Sequence, residues 1–260
     1  MRRILCSLVV AASAVPFALG GSGAAASGLN GVLIPATPNE RVPAAGGTFE
    51  STNWSGYAVT SSNNAISHAT STFVVPKLNP PPSGYASTWV GIGGFNRGDH
   101  TLIQAGISEQ SATPHYFAWW EALPNSAVPI NNKSVSPGDK VTVTVAQTSS
   151  KKWKISLTDA GHWSFNKTVS YNSSRSSAEW ILEAPTVGGT QTKLPGLSTT
   201  KFGPTSTYVT NGTSHTIAKG NPNKILMVTN SGSREATPSA LASNGQSFND
   251  CAWKTSCSTP

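Results

Sequence analysis

The sequence predicts an all-β protein, an antiparallel β-sandwich or barrel of ten or more short strands. Three observations lead there. Short runs rich in Val, Ile, Thr, Tyr, Phe and Trp recur along the chain, several with alternating polar and apolar positions. Clusters of Gly, Pro, Asn and Ser punctuate them, supplying the backbone freedom that turns require. No stretch repeats apolar residues at the spacing of an amphipathic helix. With 260 residues and 37% hydrophobic content, one domain is enough to bury a core.

The elements follow in order. Residues 1–26 read as a secretory signal peptide, with Arg2 and Arg3 before an apolar run from Ile4 to Leu19 and small residues at Ala24–Ala26. No later apolar run approaches the ~18 residues that span a bilayer, so the expected location is secreted, without a membrane partner. Residues 27–51 are rich in Gly, Pro and Ala with no sustained period and read as a short pro-segment or linker. A single domain is expected over 52–260, the mature chain beginning between Gly46 and Asn53. Its strand signals are WSGYAV, AISHATSTFVV, STWVGIGG, TLIQAGI, HYFAWWEAL, DKVTVTVAQ, KKWKISLTD, AEWILEAP, KILMVTN and a last one near QSFND. The turns SPGD (Ser136 to Asp139) and TDAGH (Thr158 to His162) fit hairpin connections.

Composition excludes several function classes. Cys6 leaves with the signal peptide, so Cys251 and Cys257 form an even pair suited to a disulfide in an oxidising compartment. The five histidines are scattered, with no HExxH and no CxxC, and no metal or other cofactor is expected. The formal net charge is +7, from 18 Lys and Arg against 11 Asp and Glu, but the cations are dispersed and nucleic-acid binding is not expected. There is no GxSxG elbow for a serine nucleophile.

What remains is a small set of carboxylates in or near strands: Glu109, Glu121, Asp139, Glu179 and Glu183. Two of them share AEWILE, where strand alternation sets Ala178, Trp180 and Leu182 on one face and Glu179, Ile181 and Glu183 on the other. A carboxylate in so apolar a strand borders solvent or belongs to a site, because burying it unpaired costs several kcal/mol. In TLIQAGI, Gln104 shares a face with Leu102 and Gly106. In STWVGIGG, Trp89 shares one with Gly91 and Gly93, a large ring beside glycines on which an extended peptide could lie.

NWSGY (Asn53 to Tyr57), TWVGIGG (Thr88 to Gly94), LIQAGI (Leu102 to Ile107), YFAWWEALP (Tyr116 to Pro124), SPGD followed by VTVTV, and AEWILE resemble, in order and approximate spacing, the successive blocks of the glutamic peptidases, or eqolisins. The resemblance runs from about Asn53 to Phe202. It implies a concanavalin-like β-sandwich of two antiparallel sheets with a concave substrate cleft, and a secreted acid endopeptidase that needs no cofactor. By the matching blocks it implies Gln104 and Glu183 as the catalytic pair, with Trp89, Trp54 and Glu121 in the substrate cleft. Protein or peptide substrates and a monomeric enzyme are expected. The chain departs from the family at Gly93, Ser108 and Phe117, where relatives often carry aspartate, which removes negative neighbours that would raise a catalytic carboxyl's pKa.

The implied chemistry is direct attack of water on the peptide carbonyl, with Glu183 moving the proton and Gln104 binding the oxyanion. A glutamic acid side chain titrates at about 4.3 in water, which suits one carboxyl to act as base and then acid in an acidic medium. The competing reading is a non-catalytic carbohydrate-binding, lectin-like β-sandwich that stacks sugars on Trp119 and Trp120.

Overall fold

Among the described residues, runs of β-branched and aromatic residues fold into twenty-one strands and one 3-10 turn, Ile217–Gly220. The computed structural model describes residues 33–34, 42–44 and 47–260, all within a unit that runs from Gly31 to Pro260. The expected signal peptide and most of the linker lie outside the described residues. In chain order the strands are β1 (Leu33–Ile34), β2 (Val42–Ala44), β3 (Thr48–Ser51), β4 (Trp54–Thr60), β5 (Ile66–Val74), β6 (Tyr85–Ile92) and β7 (Ile103–Gln110). There follow β8 (His115–Ala122), β9 (Val128–Pro129), β10 (Lys140–Ser149), β11 (Lys152–Asp159), β12 (Trp163–Ser170), β13 (Ser177–Glu183), β14 (Thr186–Val187) and β15 (Thr190–Gln191). The last six are β16 (Thr200–Phe202), β17 (Thr207–Thr210), β18 (Thr213–Thr216), β19 (Asn223–Val228), β20 (Arg234–Pro238) and β21 (Phe248–Ala252).

Two layers result. The first runs β9–β8–β7–β6–β13–β4–β19, every neighbour antiparallel. The second runs β12–β11–β10–β5, with β16 and β17 sharing the far edge of β5. The layers are joined at one side, because β19 pairs with β20, β20 with β21, β21 with β16 and β16 with β5.

The core lies between the layers, and alternation fills it. Val90 and Ile92 of β6, Ile103, Ala105 and Ile107 of β7, and Ala178 and Trp180 of β13 meet Val141, Val143 and Val145 of β10 and Ile155 and Leu157 of β11. Burying each of the larger side chains contributes roughly 1.5–3 kcal/mol. β13 is the central strand, flanked by β4 and β6, and all seven of its residues are buried. This is why AEWILE lacks the polar alternation of a half-exposed strand.

Several details extend the sequence reading or depart from it. Sheet pairing begins before Thr52: β3 lies parallel to β19, β2 pairs with β3, and β1 pairs with β14. The SPGD turn does not connect a hairpin but precedes β10, which pairs with β5 and β11; TDAGH does connect its hairpin, β11 to β12. Gly93 falls past the end of β6, in a loop at φ +90°, and is not part of the strand face that holds Trp89 and Gly91. β12 went unread because its outer positions are polar and mostly exposed, as befits an edge. The β17–β18 hairpin turns at Asn211-Gly212, both at positive φ, the Asn-Gly pair that suits a tight two-residue hairpin. Cys251 and Cys257 form the expected disulfide. Among the described residues no helix is long and apolar enough to cross a membrane.

Candidate active site

The side chains of β8, β7, β6, β13 and β4 that do not enter the core stand on the outer face of the first layer, and strand register arranges them in rows. One row reads Glu121, Gln104, Gly91, Glu179, Ala58. The next reads Trp119, Gly106, Trp89, Ile181, Gly56, and the third Phe117, Ser108, Ser87, Glu183, Trp54. All five residues expected in the cleft, Trp54, Trp89, Gln104, Glu121 and Glu183, therefore share one face, and all are fully buried.

Trp89 connects the rows. Its Nε1 donates to Glu183 Oε2 at 2.7 Å. The other end of its ring lies over Gly91, where a Cβ would fall 2.9 Å from Trp89 Cζ3 and 3.2 Å from Gln104 Cβ. A side chain at position 91 would thus push the indole and the glutamine apart, which is why glycine belongs there. Gly106 serves the same ring, since a Cβ there would sit 2.6 Å from Trp89 Cβ. Trp54 packs edge-on against Trp89 with ring centroids 4.9 Å apart, fixing the indole from the other side.

Gln104 is oriented by Glu121: its Nε2 donates to Glu121 Oε2 at 2.7 Å. Burial pushes the Glu121 carboxyl up to about 9; the bond from Gln104 opposes the rise and the charge of Glu183 adds to it. Glu121 is therefore neutral in acid. Gln104 Oε1, Glu121 Oε1 and Trp119 Nε1 are buried without a hydrogen-bond partner among the described residues. An amide acceptor, an indole donor and a carboxyl oxygen that bears the proton in acid, left this way on one face, make a place for a water or a polar ligand group.

Several participants were not legible beforehand. Ser87, beside Glu183 in register, and Ser108, one strand further out, hydrogen-bond each other at 2.7 Å and give this side of Glu183 neutral hydroxyls. Asp99 ties the loop between β6 and β7 to the start of β13. It accepts from Gly94 N at 3.0 Å, Thr101 N at 2.9 Å, Thr101 Oγ1 at 2.7 Å, Ser176 Oγ at 3.1 Å and Ser174 Oγ. Burial would raise its pKa, but these bonds outweigh it and hold the carboxyl below its ordinary value. In GDHT it reads only as a turn acid.

Glu179 stands in the row of Gln104, two strands away, while Glu183 carries the bond to Trp89. Glu109 lies on the core face of β7, held by Thr88 Oγ1 at 3.3 Å, and takes no part in the site. Trp119 and Trp120 leave opposite sides of β8, Trp119 buried on the outer face and Trp120 packed against the core under Lys167, so they form no common platform for a sugar.

Comparison with known proteins identifies the family and the fold. The chain is 26% identical over 183 residues to Aspergillopepsin-2 of Aspergillus niger, an alignment that takes in 59% of this chain and spans 64% of the length of that relative. Its fold is similar to that of scytalido-glutamic peptidase, with a TM-score of 0.66 and 19% identity over 77% of this chain and 98% of the other. It is also similar to that of SCP-B, an eqolisin crystallised with the tripeptide Ala-Ile-His, with a TM-score of 0.61 and 21% identity over the same shares. The model of the Peptidase A4 family matches residues 52–249, through every strand that contributes to the outer face. By that match the chain belongs to the Peptidase A4 family, the eqolisins.

Proposed function

We propose that this protein is a secreted acid endopeptidase that hydrolyses peptide bonds by direct attack of water, with Glu183 and Gln104 as its catalytic pair. The observation that carries the reading is the set of buried polar atoms without a hydrogen-bond partner at Gln104 and its neighbours, on the same face as an indole that donates to Glu183 and whose far end shares the space over Gly91 with the Gln104 stem. Relatives in the family support the substrate class: two of the similar folds were solved with a transition-state analogue and with a tripeptide.

Gln104 Oε1 accepts from the attacking water, and Glu183 as carboxylate takes the water's proton while the oxygen bonds to the carbonyl carbon. One Nε2–H of Gln104 is committed to Glu121, and the second donates to the oxyanion as it forms. Protonated Glu183 then gives its proton to the amide nitrogen, the C–N bond breaks, and the oxyanion closes to a carboxyl group. Neutral Glu121 fixes the amide so that its orientation does not have to be found during the reaction. The Trp89 bond steadies the Glu183 carboxylate.

Acid proteolysis by purified, folded variants tests the pair. Glu183→Gln should abolish hydrolysis, Gln104→Ala should lose about 100-fold or more, as expected for one oxyanion donor, and Glu179→Gln should leave measurable activity. A fully active Glu183→Gln beside a dead Glu179→Gln would assign the base to the other acid.

The N-terminal segment enters the same reading. The reactive face is closed to solvent, and Leu33–Ile34 pairs with Thr186–Val187, three residues beyond Glu183. Removal of the segment before Thr48, sparing the β3 strand, would open that neighbourhood. N-terminal sequencing of active secreted enzyme should find it starting close to Gly46–Thr48; active enzyme starting at Ser27 would end this part of the proposal.

A further inference from the structure

One cluster of ligating side chains lies on strands that carry none of the residues above. Asp139 precedes β10, Asp159 closes β11, and His162 stands in the turn to β12. One ligand atom of each lies within 4.8 Å of the others. The backbone holds all three in place: Ser136 N donates to Asp139 Oδ2 at 2.7 Å, and His162 N donates to the Asp159 carbonyl at 3.0 Å. His162 Nδ1 is 2.8 Å from Asp159 Oδ2.

Asp159 is only 1% exposed, and its Oδ1 has no hydrogen-bond partner among the described residues. A buried carboxylate with an unused oxygen beside a second carboxylate is costly, through desolvation and through repulsion. Imidazolium does not resolve this well, because the His162 side chain is 60% exposed and its charge is screened by water. A divalent cation among the three groups would satisfy both carboxylates at once.

We propose that Asp139, Asp159 and His162 form a structural site for a divalent cation of the zinc class, which ties the end of the β10–β11–β12 sheet together. The ligand set decides the class, since calcium and magnesium take oxygen donors, whereas an imidazole with carboxylates suits zinc and its neighbours. The geometry fits as well. Ligand atoms about 2.0–2.2 Å from a tetrahedral ion stand roughly 3.3–3.6 Å from one another, so the 2.8 Å contact of His162 Nδ1 with Asp159 Oδ2 would open by only about 0.5–0.8 Å to admit the ion. Nδ1 would coordinate, Nε2 would keep its proton toward solvent, and water would complete the shell on the exposed side of His162.

The test is isothermal titration calorimetry at pH 7 on full-length secreted protein freed of metal by chelator and desalting, with zinc chloride and calcium chloride as separate titrants. Zinc should bind one equivalent and raise the thermal midpoint by a few degrees, with calcium at least tenfold weaker. His162→Ala, at an exposed position where folding is safe, should weaken zinc at least tenfold, as should Asp139→Asn. Absence of zinc binding, zinc binding unchanged in both variants, or calcium binding as tight as zinc would each overturn the proposal.

Discussion

Replacing Glu109 by glutamine should make the protein more resistant to neutral pH while barely changing it in acid. Glu109 is fully buried on the core face of β7; Thr88 Oγ1 donates to its Oε1, and Oε2 has no partner among the described residues. Burial lifts its carboxyl from 4.5 to about 8, against the opposing bond from Thr88. The unfolded chain releases this proton as pH passes 4.5, while the folded protein keeps it until about 8. Across that window the unfolded state binds fewer protons, so stability is complete below 4.5 and falls as pH rises toward 8. At ~1.4 kcal/mol per unit, the loss through this one group is on the order of 5 kcal/mol. Glutamine has the same shape, stays neutral, and can still accept from Thr88, so its cost in acid should be about 1 kcal/mol. Urea unfolding at pH 4 and pH 7.5 measures both ends. The variant should be slightly weaker than wild type at pH 4 and several kcal/mol stronger at pH 7.5. Equal pH dependence in the two proteins would refute the reasoning, because Glu109 would then ionise alike in the folded and unfolded chain.

Three more outcomes are expected. Trp89→Phe keeps the packing against Trp54 but removes the donor to Glu183, and a bond to a charged group is worth about 1.5–3 kcal/mol, so kcat/KM should fall roughly 10- to 100-fold with the circular dichroism spectrum unchanged. Gly91→Ala should lower kcat more than it lowers thermal stability, since the added methyl meets the Trp89 ring and the Gln104 stem; parallel rate and melting measurements would expose a purely structural effect. Acid proteolysis should persist in the presence of chelators, thiol- and serine-directed reagents and pepstatin, because the proposed reaction uses a single carboxylate and an amide; inhibition by a chelator in the acid assay would contradict it.

The fold class was legible because strand period and turn chemistry are local. TLIQAGI announced its two faces correctly: Ile103, Ala105 and Ile107 are in the core, and Gln104 is on the other side. The position of Glu183 was legible only through a block resemblance, for alternation assigns Glu179 and Glu183 the same face and does not choose between them. The hydrogen bond from Trp89 to Glu183 depends on a ring reaching across rows of the sheet, which alternation does not reveal. Glu121 was similarly undecided until β8 paired with β7 in a register that sets it opposite Gln104. Asp99 is far in sequence from Ser174 and Ser176 and meets them only when the β6–β7 loop folds against the start of β13. Pairings of that kind leave no periodic trace.

The chain of strands from β19 through β20, β21 and β16 to β5 hydrogen-bonds the two layers into one continuous fabric along one side. Two slabs hinged only by loops could slide or yawn apart, and an enzyme built that way could admit its ligand between them. Here a hydrogen-bonded seam stands against such sliding. The candidate face is the outer side of the first layer, so a ligand can reach it without the two layers parting.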